Sequence, residues 1–328
     1  MKLIIQIPCL NEAQTLGVAL SELPKQIPGI DSIEVLIIDD GSTDDTVAVA
    51  RAHGVQHVVG FRTNQGLARA FMLGLQSCME RGADIIVNTD ADNQYCGADI
   101  ERLVRPILDG KADFVIGARP IASIGHFSPI KKLLQRLGSS VVRLVSGTDV
   151  ADAPSGFRAI TREVALVLNV FSSYTYTLET IIQAGQKNMT IVSVPIRVNG
   201  YLRPSRLLRS ITSYVKRSVI TMIRIFVVYK PLRFFVAVSL FPLTAGGVVT
   251  LRFLVYFVAG HGGGHVQSLI LAAVLLIVGF LTFLLAILAD LLSVNRRLLE
   301  ELQQAERARR LASPTPVRDY SASRVNVP

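Results

Sequence analysis

Asp90 and Asp92 carry the sharpest chemistry in this sequence. They stand in Thr89-Asp90-Ala91-Asp92-Asn93-Gln94, directly after the apolar run Asp84–Asn88. On an extended segment, residues two apart point to the same side, so the two carboxylates converge. Like charges held that close repel, and one stays protonated unless a cation bridges them. Hard oxygen ligands with little nitrogen or sulfur nearby select Mg²⁺ or Mn²⁺, and such an ion takes the rest of its shell from phosphates. The three cysteines, Cys9, Cys78 and Cys96, lack metal-ligand spacing, so neither a zinc site nor a disulfide scaffold is expected. A D-x-D spacing is common in loops, and what gives this one weight is its company. Pro8-Cys9-Leu10-Asn11-Glu12 follows the run Leu3–Ile7, Asp39-Asp40-Gly41-Ser42-Thr43-Asp44 follows Ile33–Ile38, and Gly117-Ala118-Arg119 closes Asp113–Gly117.

These clusters need elements to place them. Strand-like runs at Leu3–Ile7, Ile33–Ile38, Gln56–Val59, Asp84–Asn88, Asp113–Gly117 and Thr190–Ile196 alternate with helical patterns. The helical patterns fall near Glu12–Leu23, Thr43–His53, Gly66–Arg81, Ala98–Leu108, Pro129–Val145, Arg162–Asn169 and Tyr176–Lys187, with Ser42 or Thr43 placed to cap the second. Such alternation predicts an α/β layer fold with a mostly parallel sheet. Ligands of open sheets bind beyond the carboxyl ends of the strands, which is where the acidic and basic clusters fall. Leu3–Ile7 is too short for a signal peptide and is stopped by Pro8, so it reads as a buried first strand.

The chain has 328 residues, a net charge of +9 and 18% charged residues, and its mean hydropathy is +0.43. That composition excludes intrinsic disorder and argues against a wholly soluble protein. The hydrophobicity is concentrated in Leu232–Ala259, with Arg233 at its edge and Arg252 within it, and in Val266–Leu292, with Asp290 near its end. Each run exceeds the ~20 residues a helix needs to cross a bilayer. Lys230, Arg233, Arg296 and Arg297 flank the pair, whereas the loop Gly260-His261-Gly262-Gly263-Gly264-His265 carries no Lys or Arg. The positive-inside rule therefore places the loop outside an inner or plasma membrane, and the N-terminal domain and both termini in the cytoplasm. His261 and His265 have a metal-compatible spacing, but a flexible glycine loop makes them loop polarity. No acidic residue occurs between Glu179 and Asp290, while Arg203, Arg206, Arg209, Lys216, Arg217, Arg224, Lys230 and Arg233 crowd the approach to the first run. Leu208, Ile211, Val215, Val219, Met222 and Phe226 fall opposite the basic positions at helical spacing, which describes an amphipathic helix suited to an anionic bilayer surface. The expected organisation is an α/β domain over 1–200, a juxtamembrane segment over 201–231, a transmembrane hairpin over 232–292 and a cytoplasmic tail over 293–328 that begins as a charged helix (Asn295–Arg310) and is disordered towards its end.

Pro8–Glu12, Asp39–Asp44, Asp90–Gln94, Gly117–Arg119 and Ser155-Gly156-Phe157-Arg158 occur in the order and spacing of family 2 glycosyltransferases. With two C-terminal spans, residues 1–292 resemble the polyisoprenyl-phosphate glycosyltransferases, the group of dolichol-phosphate mannose synthase-like proteins. The resemblance implies a GT-A nucleotide-sugar-binding fold on a membrane anchor. It also implies transfer of a sugar from a UDP- or GDP-linked donor to a polyprenyl phosphate at the cytoplasmic face. Carried over by position, Pro8, Leu10, Glu12, Asp39, Asp40, Asp90 and Ala91 would hold the nucleotide, and Asp90, Asp92 and Gln94 the Mg²⁺ or Mn²⁺. Asp92, Arg119 and Asp152 would serve the reaction, Asp152 as a carboxylate near the reacting sugar. Arg119, Arg203, Ser205 and Arg206 would meet phosphate or the acceptor. Expected partners are the donor, the lipid phosphate, the bilayer and a second copy of the chain through the hairpin, with no nucleic acid. Two departures stand out: Tyr95 replaces a frequent His, and Arg203-Pro204-Ser205-Arg206 replaces the commoner Gly-x-Ser-Lys.

The acceptor decides the mechanism. A phosphate is already ionised at pH 7, so Asp152 is expected to position or stabilise rather than to deprotonate. A hydroxyl-bearing lipid acceptor would need Asp152 as a true base. A processive polysaccharide synthase usually carries a Gln-x-x-Arg-Trp element, and this chain has no Trp. No G-x-G-x-x-G follows a strand, which excludes a dinucleotide-dependent dehydrogenase, and no Walker A lysine loop occurs. A non-catalytic nucleotide-binding scaffold is the remaining alternative, and intact Asp90, Asp92, Gln94 and Arg119 speak against it.

Overall fold

The computed structural model describes residues 1–120, 140, 142–143, 146–170, 176–200, 220–221, 223–224, 227–260 and 266–312. The chain divides into two units, Met1–Ser218 with Leu302–Pro328, and Val219–Glu301.

The first unit is built on a seven-stranded sheet in the order β3-β2-β1-β4-β6-β5-β7. The strands are β1 (Lys2–Cys9), β2 (Ser32–Asp39), β3 (His57–Gly60), β4 (Ile85–Asn88), β5 (Phe114–Ala118), β6 (Arg158–Thr161) and β7 (Ile191–Pro195). β1 pairs in parallel with β2 along its whole length and with β4 on its other side. Leu3, Ile4, Ile5 and Ile7 are all fully buried, because a central parallel strand is covered on both faces. Helices α1 (Ala13–Ser21), α2 (Thr46–Ala52), α3 (Leu67–Glu80), α4 (Ile100–Leu108), α5 (Arg162–Val167) and α6 (Thr177–Gln186) complete the described layers. Ile100, Leu103, Val104 and Ile107 turn one stripe of α4 to the core, the 3.6-residue period that sequence reading relies on.

The strands follow the predicted runs to within one or two residues, with one addition. β6 lies antiparallel between β4 and β5, with Arg158 in register with both Asn88 and Ile116. Four residues beginning with an arginine show no alternation, so nothing in the pattern announced a strand. Its direction matters for the site. Because β6 runs against its neighbours, the segment that enters it arrives at the edge where β1, β2, β4 and β5 leave the sheet.

The second unit holds two helices long and apolar enough to cross a membrane. α7 (Pro231–Val258) has a mean hydropathy of 2.0 and only 11% of its most apolar window is buried; for the second the values are 3.0 and 17%. Low burial sets them apart from the core helix of a soluble protein. Small residues bring the pair together: a side chain at Gly246 would meet Leu276 at 2.9 Å, and one at Gly279 would meet Leu243 at 2.7 Å. Arg252 lays its guanidinium 5.7 Å from the ring centre of Tyr256. The second helix, α8, runs unbroken from Val266 to Ala312 and takes in the charged helix expected over Asn295–Arg310, so the change at Leu292 is one of composition and not of backbone. Its last turns belong to the first unit, where Arg307 donates to Leu168 O at 2.6 Å and to Asn169 Oδ1 at 3.2 Å. Residues 313–328 of the expected tail, and most of the expected basic helix, lie outside the described residues.

Candidate active site

The β1–β2 side of the strand edge is a hydrogen-bonded frame. β1 ends at Cys9, and Asn11 turns the chain with φ +55°. Asn11 N donates to Ser42 Oγ at 2.9 Å, Thr43 N to Asn11 Oδ1 at 2.8 Å, and Glu12 N to Thr46 Oγ1 at 2.8 Å. The loops after β1 and β2 are thus stitched together. Asp39 accepts from Ser42 N at 2.9 Å. Both oxygens of Asp40 are occupied by the entry to α3, from Gln65 N at 2.7 Å and Gly66 N at 2.9 Å. Gly41 permits this approach: at φ +78°, a Cβ there would lie 2.7 Å from the backbone of Thr63. The loop Thr63–Gly66 therefore belongs to the site, although sequence reading passed over it. Its signal was Asn64-Gln65-Gly66 standing directly before a helical pattern.

The β4–β6 side concentrates charge. β4 ends at Asn88, Asp90 and Asp92 follow, and Gln94 N donates to Asp92 Oδ1 at 3.1 Å. Asn93 makes this turn possible with φ +56°. Burial, then the neighbouring Asp92, pushes the Asp90 carboxyl up to about 7, against the opposing pull of Arg119 and Arg158. Ala91 is buried beneath the loop. Arg119 leaves β5 and grips Asp152 with a two-pronged contact, Nε to Oδ2 at 2.7 Å and Nη2 to Oδ1 at 3.0 Å, while its own amide reaches Oδ2 at 3.2 Å. Both side chains are nearly inaccessible, 10% and 1% exposed. Burial lowers the pKa of Arg119, but Tyr95, Asp152 and Asp90 together outweigh it and raise it, so the guanidinium stays charged.

The loop into β6 completes this side. A Cβ on Gly156 would sit 3.1 Å from Asp90 Oδ1 and 3.1 Å from Tyr176 Oη, so any larger residue would press on the carboxylate. Asn88 Nδ2 donates to Gly156 O at 2.8 Å and to Tyr176 Oη at 2.9 Å, and Gly156 N donates to Tyr95 Oη at 3.1 Å. Tyr95, the departure from the frequent His, is buried and stacks on Phe157 at 5.0 Å. Arg158 is fully buried, and burial lowers it to about 10, still charged at neutral pH. Asn88, Tyr176 and Arg158 went unassigned from sequence; a polar residue closing an apolar strand was the available signal for Asn88.

A divalent ion fits this donor set. Asp90, Asp92 and Gln94 would supply two carboxylates and an amide oxygen, and a cation would relieve Asp90, whose carboxyl burial and the nearby Asp92 push up. Among the described residues no three His, Cys, Asp or Glu side chains gather as a metal cage. Pro8 and Leu10 lie half-buried at the end of β1 beside Glu12. Arg203, Ser205 and Arg206 lie outside the described residues. The chain leading to them is fastened beside the charged loop: Asn199 N donates to Gln94 O at 2.9 Å, and Arg197 Nη2 pairs with the buried Asp99 at 2.7 Å.

Comparison with known proteins bears on the family and the fold. Residues 4–167 match the model of glycosyl transferase family 2. Undecaprenyl-phosphate mannosyltransferase of Micrococcus luteus is 29% identical over 206 residues, 60% of this chain and 83% of that protein. UDP-N-acetylglucosamine–dolichyl-phosphate N-acetylglucosaminyltransferase of Methanococcus voltae is 30% identical over 213 residues, 58% of this chain and 83% of that protein. Among solved structures, glucosyl-3-phosphoglycerate synthase from Mycobacterium tuberculosis, in complex with Mn²⁺, UDP and phosphoglyceric acid, superposes with a TM-score of 0.51 at 21% identity, covering 67% of this chain and 78% of that one. That likeness shows the fold, a GT-A α/β layer with a mostly parallel sheet. The chain belongs to glycosyl transferase family 2.

Proposed function

We propose that this protein transfers a sugar from a nucleotide-sugar to a polyprenyl phosphate at the cytoplasmic face of a membrane. The observation that carries the reading is the Arg119–Asp152 pair. The carboxylate expected nearest the reacting sugar has both oxygens held by a guanidinium, at 2.7 and 3.0 Å. A base so engaged is poorly placed to take a proton, and a phosphate acceptor, ionised at pH 7, asks for none. Asp152 then serves as the holder of Arg119. With Nε and one Nη2 hydrogen spent on Asp152, the opposite edge of the guanidinium, Nη1 and Nη2, would meet phosphate oxygens.

Relatives named for undecaprenyl phosphate and dolichyl phosphate support the acceptor class. Two sparsely buried apolar helices support a bilayer as its source. Lys230, Arg233, Arg296 and Arg297 at one end of that pair, against an uncharged glycine loop at the other, favour the cytoplasmic orientation. Asp90, Asp92 and Gln94 would hold Mg²⁺ or Mn²⁺; the Mn²⁺ of the structural neighbour is in keeping with that choice. When bound, the ion would neutralise charge on the departing nucleoside diphosphate. The β1–β2 frame, with Pro8, Leu10, Glu12, Asp39 and Asp40, would seat the nucleoside, and Arg203, Ser205 and Arg206 would close over phosphate.

The test is transfer from radiolabelled UDP- and GDP-sugars to undecaprenyl phosphate in detergent, with Mn²⁺, Mg²⁺ or EDTA. A lipid product labile to mild acid, formed only with metal, is the expected result. Nucleotide binding without any such product would favour the scaffold, and a product on diacylglycerol alone would favour the hydroxyl acceptor.

A further inference from the structure

Arg158 is the largest fully buried side chain among the described residues. All four hydrogen bonds of its guanidinium end on uncharged oxygens. Nε donates to Ser155 O at 2.6 Å and Nη2 to Ala153 O at 2.7 Å. Nη1 donates to Thr177 O at 2.8 Å and to Thr180 Oγ1 at 2.6 Å. The rings of Phe114 and Tyr176 each lie 5.6 Å from its Cζ. A buried cation is costly, and a well-packed apolar side chain in the same space is often as stable or more so. What arginine alone supplies is a rigid plane with donors on several sides, able to hold two separate pieces of backbone at once.

Those two pieces are the loop entering β6 and the first turn of α6. The loop begins at Asp152, one residue before the carbonyl that Nη2 holds, and Asp152 is the residue that grips Arg119. Its far end is fixed independently, with Gly156 bonded through its O to Asn88 and through its N to Tyr95. Weakening the arginine would thus leave the strand anchored and release 152–155. We infer that Arg158 is a positioning residue, a buried brace that fixes the Asp152 loop against α6 and so aims Arg119 into the site. This rests on the reading of Arg119 as a phosphate-binding side chain.

A double-mutant cycle on the full-length protein in detergent tests it. The acceptor is undecaprenyl phosphate, and the donor is the radiolabelled nucleotide-sugar that gives product with the wild type. Arg158→Lys keeps the charge and loses the fork; it should lower kcat about tenfold or more while the donor KM stays within about twofold. If the brace acts through Arg119, Arg158→Lys should add little to Arg119→Lys, the double variant staying within about threefold of Arg119→Lys alone. Thr180→Val removes a single bond from the brace and should show the same coupling with a smaller effect, which keeps the test available if Arg158→Lys folds poorly. Effects that multiply would overturn the inference and leave the reading of the site standing, since loss of folded protein is indifferent to Arg119. Arg119→Lys at the wild-type rate would overturn the reading of the site, and the brace with it.

Discussion

The two halves of the strand edge are built from the same kinds of residue and do opposite things with them. Around β1 and β2, carboxylates and amides are consumed by one another: Asp39 holds Ser42, Asp40 holds Gln65 and Gly66, and Asn11 holds Thr43. Around β4, β5 and β6, charges are buried close together and bent from their ordinary behaviour, with Asp90 up to about 7 and Arg158 down to about 10. The first half is a finished shape. The second is a set of buried charges, which under the proposed function would serve ligands that bring charge of their own, a cation and phosphates.

That contrast can be broken most forcefully at Asp92. Asp92→Asn removes half of the carboxylate pair, and kcat should fall about a thousandfold, as expected for loss of a main electrostatic element; a metal titration of product formation checks it. Gly156→Ala comes next. The added methyl would press on both Asp90 oxygens, at 3.1 and 3.2 Å, and should weaken metal activation about tenfold or more with the fold intact. The pH dependence follows from Asp90. Its raised pKa means that below about 7 an incoming cation must displace a proton. The Mn²⁺ needed for half-maximal activity should therefore rise about tenfold between about pH 8 and about pH 6. The same shift makes the metal-free protein less stable as pH rises toward 7, because the folded state holds a proton the unfolded chain has released. On the other half the effect should be of a different kind. Asp40→Ala frees two amides at the entry to α3, and should cost about 1–2 kcal/mol of stability in chemical denaturation and raise the nucleotide KM, with kcat nearly preserved.

Sequence reading recovered the edge because strand periodicity is local and a parallel sheet brings every strand end to one side. Asp90, Asp92 and Arg119 could be found that way since each directly follows its strand. Asp152 could be placed only by resemblance, for its strand, β6, is four residues long and is defined by the neighbours it slips between. Arg158 stands in the sequence only as part of a family motif, since nothing in the pattern announces its burial, and burial is the observation that supports its reading as a brace. Asp40 is the reverse case, an acidic strand end whose partners, Gln65 and Gly66, lie a full crossover away. The two long apolar helices were legible from length and composition, as was a charged helix over Asn295–Arg310, whereas the joining of the second apolar run and that charged helix into one element was not, because side chains change from apolar to charged at Leu292.

On the proposed reading, the charged half of the edge serves an acceptor which needs no base. The most direct measurement compares undecaprenyl phosphate with undecaprenol as acceptors for the wild-type protein, with Mn²⁺ and the same nucleotide-sugar. The account predicts product on the phosphate and none on the alcohol. Turnover of the alcohol at a comparable rate would contradict it, and would make Asp152 a base in spite of its grip on Arg119.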